Sequence, residues 1–352
     1  MNLRQLYRWV AGVSKDWEGV TQHFRENVGH FSRGVVRSGS SQLRKIAGMV
    51  EGKADSQRRR LQRFVQRAQP LEHFFGQWTG SVLGELALVQ GQPIVLVVDE
   101  TKVEDRFGVM VVGVAHERRC LPLAWRVYRA NDSAGYPPEG QARMIIRLLK
   151  QVRAGIPPGR RVRVVADRGI GTSPLLMRGI AALGWTFLFR VTKQSKIILP
   201  DGQDVTFHDQ VQQPGQTYAA SGLVFKRRGR IPAHVRVVWG QDAEGPWALV
   251  TNDPSLSGWE YAQRFWVEPS FRDFKSHGWQ LEATTLTDPD RLSRLWVFLV
   301  VAYAWMLLLG LALDAAHALS APKRRPDGFT VRRLSLFREG RQAFLAACCP
   351  PG

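Results

Sequence analysis

Between Arg294 and Asp314 the chain runs for nineteen residues, 295–313, without a single charge (LWVFLVVAYAWMLLLGLAL). As a helix this segment is about 28 Å long, enough to cross a bilayer. A helix enclosed on every side by protein has the same composition. Trp296, Tyr303 and Trp305 are spread along the run, whereas interfacial belts place aromatic residues at the two ends of a span. The expectation is therefore a core helix, sandwiched between a sheet and another domain, in a protein with no membrane partner. The chain's 352 residues give room to enclose it, in one large domain or in two to three ordinary ones.

Charge is the second constraint. Lys and Arg number 49 against 30 Asp and Glu, a formal net charge of +19. That excess points to an anionic partner, nucleic acid or an acidic membrane face, and away from enzymes of small neutral substrates. Residues 1–70 hold 14 Lys/Arg against 5 Asp/Glu and read as a separate basic module. Within it, residues 42–64 have helical spacing and end in Arg58-Arg59-Arg60-Leu61-Gln62-Arg63, which can track phosphates along a groove or form a solvated helix face. The tail from Ala321 is basic again, with 7 Lys/Arg against 2 Asp/Glu. The three cysteines, Cys120, Cys348 and Cys349, suit neither a disulfide framework nor a zinc site and imply a reducing compartment. The opening residues place charges at Arg4 and Arg8 where an export signal needs an apolar stretch. A cytoplasmic, nucleoid-associated protein is expected. The eight histidines show no paired-ligand spacing and no phosphate-binding Walker loop is present, so zinc and ATP are not supported.

From Pro93 the texture becomes β-rich, with strand-like runs at 94–98, 108–115 and 121–128. A helix over 139–152 follows, with Met144, Ile145, Leu148 and Leu149 on one face. Then come a strand over 161–166, a helix over 173–183 and a strand over 185–191. The order β-β-β-α-β-α-β is the ribonuclease H-like arrangement, an α/β mixed sheet with helices on both faces. Asp99 ends the first of these strands and Asp167 the fourth. If those strands are parallel neighbours, both carboxylates emerge at the sheet edge where α/β folds build their sites. Two acids held close repel, and a divalent cation relieves the repulsion. A strand-terminal Asp is also a common helix cap. Glu100 and Glu104 compete for the role of Asp99, and Lys102 is either a phosphate contact or simply exposed.

The third element is the stretch 261–275, YAQRFWVEPSFRDFK. At about 100° per residue, Tyr261, Arg264, Glu268, Arg272 and Lys275 fall on one stripe. A carboxylate flanked by a phenol and three cations suits a phosphodiester site. Pro269 interrupts this picture, because it cannot donate a helical bond and disfavours the α conformation at Glu268. A kink is expected, or a helix restarting with Pro269 in its first turn.

The spacing Tyr261-x2-Arg264-x3-Glu268-x6-Lys275 resembles the signature of bacterial cut-and-paste insertion-sequence transposases of the DDE type, in the insertion sequence four group. Asp99 and Asp167 look like that family's first and second acids, and the resemblance covers roughly residues 90–315. It implies Asp99, Asp167 and Glu268 as catalytic residues holding two Mg²⁺ ions, with Mn²⁺ able to substitute. Tyr261, Arg264, Arg272 and Lys275 would contact DNA phosphates. Trp247, Trp239 and Phe265 are candidates to hold a flipped base, although each also suits a core. The partners implied are double-stranded DNA, as element ends and as target, and a second copy of the chain in a synaptic complex. The division expected is a basic helical DNA-end-binding region (1–88), a ribonuclease H-like core in two parts (89–192 and 253–318), an inserted β subdomain (193–252) and a basic tail (319–352). Two other functions fit the sequence: a catalytically inactive DNA-binding derivative of a transposase, and a ribonuclease H-like nuclease without strand transfer.

Overall fold

A computed structural model of the chain describes residues 3–67, 71–86, 88–225, 229–317, 319, 323–324, 330–331 and 334–348. Cys349 and most of the basic tail lie outside the described residues. The chain divides into two compact units. One comprises Met1–Leu86, Val103–Phe107 and Ser270–Gly352, the other Ala87–Lys102 and Gly108–Pro269.

The first unit is helical. Its N-terminal helices are α1 (Leu3–Val13), α2 (Gln22–Ser38), α3 (Leu43–Gly48), α4 (Ala54–Gln66) and α5 (Glu72–Glu85). The single helical stretch expected over 42–64 is in fact two helices: α3 ends at Gly48, α4 starts at Ala54, and Gly52 between them adopts φ 105°, a conformation open to glycine. Of the arginine run on α4, Arg59 and Arg63 are exposed, while Arg60 turns inward and donates from Nε to Asn27 Oδ1 at 2.7 Å.

The second unit is built on one sheet. Strands β1 (Ile94–Val103), β2 (Phe107–His116) and β3 (Arg119–Arg129) form the meander, and α6 (Gly140–Arg153) leads to β4 (Val162–Ala166). After α7 (Arg168–Gly171) and α8 (Pro174–Ala182) comes β5 (Thr186–Arg190). Strands β6 (Lys196–Ile198), β7 (Asp204–Thr206), β8 (Thr217–Val224), β9 (Ile231–Val238) and β10 (Trp247–Thr251) follow. The spatial order is β3-β2-β1-β4-β5-β10-β9-β8-β6-β7. β1, β4 and β5 are parallel neighbours, and α6 and α8 supply the crossovers, packing on β3 and β5. A meander leading into two parallel strands in the order 3-2-1-4-5 is the ribonuclease H-like fold, a mixed sheet with helices on both faces. The strands of 193–252, expected as an inserted β subdomain, continue this sheet: β10 pairs antiparallel with β5, placing Leu249 opposite Arg190. The free edge of β5 is thereby covered, which removes an exposed row of backbone donors and acceptors.

The chain leaves this unit through a 3₁₀ helix at Trp259–Trp266 and α9 (Val267–Arg272), then re-enters the helical unit through a π turn at Asp273–His277. There α10 (Pro289–Ala315) and α11 (Leu336–Cys348) complete it. Helix α10 begins where the turn at Asp288-Pro289 predicts, with the Asp288 carboxylate accepting from Arg291 N at 2.8 Å. Its apolar run is the expected core helix, 83% buried. Within this unit its cover is helical: Phe298 packs on Phe31 of α2 and on Phe64 of α4, with ring centroids 5.6 and 4.7 Å apart. On another side α11 comes close enough that a side chain at Gly310 would strike the Leu336 carbonyl, and one at Gly340 the Met306 carbonyl. Gly310→Ala should therefore destabilise the protein by about 2 kcal/mol, although alanine is favoured over glycine inside a helix by about 1 kcal/mol. Thermal melts followed by circular dichroism check the sign, and a raised melting temperature would contradict the close approach.

Candidate active site

The pairing of β1 with β4 sets Val98 opposite Ala166, so the next residues, Asp99 and Asp167, leave the paired segment side by side. Asp99 does not end its strand, as the apolar run suggested, because β1 continues to Val103, beyond the last residue of β4. It is 7% exposed. Asp167 takes the helix-cap role that the sequence left open. Its Oδ1 caps α7 by accepting from Ile170 N at 3.1 Å, which leaves Oδ2 turned to its neighbours. Helix α7 lies so close to β5 that a side chain at Gly171 would meet the Arg190 carbonyl.

The stretch 261–275 is not one continuous helix. Its 3₁₀, α and π segments follow in succession, and the change from 3₁₀ to α falls at Val267, with Pro269 in the first turn of α9. This is the restart that proline requires. The 3₁₀ segment begins at Gly258, whose φ is 102°, and the Glu260 carboxylate ties its start by accepting from Gly258 N at 2.9 Å. A 3₁₀ helix aligns residues three apart, so Tyr261 and Arg264 share a face, and Glu268 follows one turn later.

The three acids converge on one guanidinium. Arg264 Nη2 donates to Asp99 Oδ1 and Oδ2, both at 3.1 Å, and lies 3.8 Å from Asp167 Oδ2. Arg264 Nη1 donates to Glu268 Oε1 at 2.5 Å. The arginine side chain is 12% exposed, whereas that of Glu268 is 50% exposed. Burial pushes the Asp99 carboxyl up to about 6; Arg264 opposes that rise and the Asp167 charge adds to it. Burial alone would lower the Arg264 pKa, but the charges of Asp99, Tyr261, Asp167 and Glu268 outweigh it and hold the group above its ordinary value.

Tyr261 is enclosed beside this cluster, and burial raises its phenol pKa against the pull of Arg264 and Arg190. Its ring meets Trp247 edge-on at 5.2 Å and Phe265 at 5.9 Å. Trp247 also packs 6.2 Å from Trp259, an exposed indole that the sequence reading overlooked. The Trp239 indole donates to the Ala243 carbonyl at 2.9 Å. Arg272 and Lys275 belong to the helical unit, where Lys275 Nζ lies 4.0 Å from Glu282; the common stripe expected for them is broken by the change of helix type. Of the rival acids, Glu104 pairs with Arg106 at 2.9 Å in the β1–β2 turn. Glu100 lies beside Tyr128, whose pKa burial raises first and the carboxylate further. The role of Arg264 at the centre of the acids was missed as well, although its four-residue spacing to Glu268 was visible. Among the described residues, no three His, Cys, Asp or Glu side chains are gathered tightly enough to chelate an ion.

Residues 92–305, well over half of the chain, match the family described as a transposase DDE domain. Among solved structures, the crystal structure of human ENDOV is similar at 14% identity, with 68% of this chain and 93% of that chain covered and a TM-score of 0.27. A search of curated proteins finds no match.

The Asp99 environment has a stability consequence. The folded protein holds this proton more tightly than the unfolded chain, so the favourable contribution is complete below about pH 4 and is lost as the pH rises through about 6. The rise from 3.8 to about 6 corresponds to about 3 kcal/mol. Asp99→Asn carries no such titration, so in metal-free buffer it should gain stability relative to wild type between about pH 4 and pH 7. Melting both proteins across that range is the check, and a difference independent of pH would refute it.

Proposed function

Because the chain belongs to the family of transposases with a DDE domain, we propose that it cuts DNA at the ends of an insertion sequence and joins those ends to a target by a cut-and-paste route. On this reading Asp99, Asp167 and Glu268 are the catalytic acids, and Tyr261, Arg264, Glu268 and Lys275 form the signature of the insertion sequence four group. The observation that carries it is the convergence of the three carboxylates on Arg264, from strands β1 and β4 and from helix α9.

By donor type, though not gathered for chelation while they surround Arg264, the three carboxylates would suit Mg²⁺ or Mn²⁺, since they offer hard oxygen ligands and one guanidinium leaves two negative charges uncompensated. Asp99 and Asp167 would hold the ions from the sheet, and Glu268 would close the set from the side open to solvent. When bound, the two ions supply the Lewis acidity that activates a water or a 3′-hydroxyl and stabilises the leaving oxygen of an in-line displacement.

The protein's own residues do the rest. The cap to Ile170 N fixes the Asp167 carboxylate before substrate arrives, and burial keeps Asp99 in a single orientation. Arg264, Arg272 and Lys275 would neutralise backbone phosphates flanking the scissile bond. Tyr261 would reach DNA only after some movement of the ring out of its enclosed position, and Trp247 offers an aromatic face in the same cluster. The helical unit, with Arg59 and Arg63 facing outward on α4, would bind the element ends. Two ends must be joined in one event, so the active species is a homodimer on DNA. On this reading the protein would act in the cytoplasm, with the nucleoid.

The test is Mg²⁺- or Mn²⁺-dependent cleavage of a plasmid carrying the DNA that flanks the gene. Glu268→Gln should lose at least about a hundredfold in cleavage rate while retaining DNA binding in a gel-shift assay. Full cleavage by the variant would remove Glu268 from the site. Cleavage without joined products, in a strand-transfer assay, would reduce the assignment to a nuclease.

A further inference from the structure

Arg264 occupies the oxygens that a metal ion would need. Both Asp99 oxygens accept from its Nη2 at 3.1 Å, and Glu268 Oε1 accepts from its Nη1 at 2.5 Å. Asp167 has Oδ1 committed to the α7 cap, so the oxygen it has to offer is Oδ2, which lies 3.8 Å from the same guanidinium. A dication approaching these oxygens meets a positive charge at contact distance, on an arginine whose side chain is only 12% exposed. Each oxygen keeps a second lone pair, so the competition between the guanidinium and a metal ion is one of charge and space.

The arginine also has somewhere else to go. Its Nε is buried and makes no hydrogen bond among the described residues, so the pose against the acids leaves one donor unsatisfied. Its guanidinium carbon already lies 5.5 Å from the centre of the Phe265 ring, a face on which a cation can rest. The side chain is long, and its backbone lies in a short 3₁₀ segment, so rotation about its own χ angles would move the charge without moving the sheet.

We propose that Arg264 is the intramolecular counter-ion of Asp99, Asp167 and Glu268 in the metal-free protein, and that it withdraws from them when a divalent cation binds. This deepens, and rests on, the reading of the three acids as metal ligands. In the metal-free state the guanidinium relieves the repulsion among three carboxylates and keeps them near one another. Metal binding displaces it, and the freed cation becomes available to a phosphate of the DNA. Loading of the ion and engagement of DNA are then coupled through one side chain, with each favouring the other.

The experiment is Mn²⁺ binding to the full-length protein without DNA, followed by electron paramagnetic resonance of free Mn²⁺ and by calorimetry. Wild type is compared with Arg264→Gln, Arg264→Lys and Asp99→Asn. Arg264→Gln should bind Mn²⁺ about tenfold tighter or more, since the competing charge is gone. Arg264→Lys keeps the charge but loses the forked contact to two acids, so it should fall between wild type and Arg264→Gln. Should Arg264→Gln fail to fold in metal-free buffer, the order of Arg264→Lys against wild type decides the matter. Equal or weaker Mn²⁺ binding in the arginine variants, with binding lost in Asp99→Asn, overturns the proposal and leaves the acids as ligands. Mn²⁺ binding that is indifferent to Asp99→Asn overturns that underlying reading, and the proposal with it.

Discussion

The register of β1 against β4 is the constraint on which the candidate site depends. Five consecutive pairs, from Ile94 with Val162 to Val98 with Ala166, lock the two strands, and every side chain in them except Arg163 is apolar and buried. The first polar residue after that block in each strand is an aspartate. A slip of one residue would leave Asp99 and Asp167 on opposite faces of the sheet, because side chains alternate along each strand. Burial in the core thus fixes the spacing of two carboxylates that themselves oppose being close.

The third acid comes from a part of the chain with no strand register, and its placement depends on a change of helix type. A 3₁₀ segment carries Tyr261 and Arg264, and α9 carries Glu268. Pro269 makes the junction unavoidable, since the residue before a proline resists the α conformation in mid-helix. Aromatic packing anchors the segment. Trp247 of β10 meets both Tyr261 and Phe265, which ties the 3₁₀ turn to a strand that continues the core sheet. The strands of 193–252 therefore contribute to the site by extending the sheet far enough to hold the helix that brings Glu268.

Much of this could be read from the sequence because it follows local rules. Strand alternation, the helical face of Met144 to Leu149 and the Asp288-Pro289 start of α10 all carry short-range signals, and the elements form where those signals are. Asp99 and Asp167 were legible because each sits where an apolar run ends. The features that escaped depend on contacts distant in the chain. Nothing in residues 193–252 says that β10 will pair with β5, because antiparallel strands look alike whether they close on themselves or extend a neighbour. The break at Gly52 is a backbone conformation, hidden inside a pattern whose periodicity continues on both sides. The stripe through Arg272 and Lys275 assumed a constant rotation per residue, and the succession of three helix types invalidates that assumption.

Tyr261, Arg264 and Glu268 divide by physical role in a way that spacing does not show. Tyr261 is 1% exposed and packed by two aromatic rings, so its contribution in this state is to hold the 3₁₀ turn in place. Arg264 and Glu268 are polar partners in one cluster, four residues apart, the separation at which side chains on a helix meet. A motif of this kind encodes a supporting residue and two interacting charges together. The tyrosine sets the turn, the turn aims the arginine at Asp99 and Asp167, and the arginine in turn draws Glu268 toward acids that would otherwise repel it.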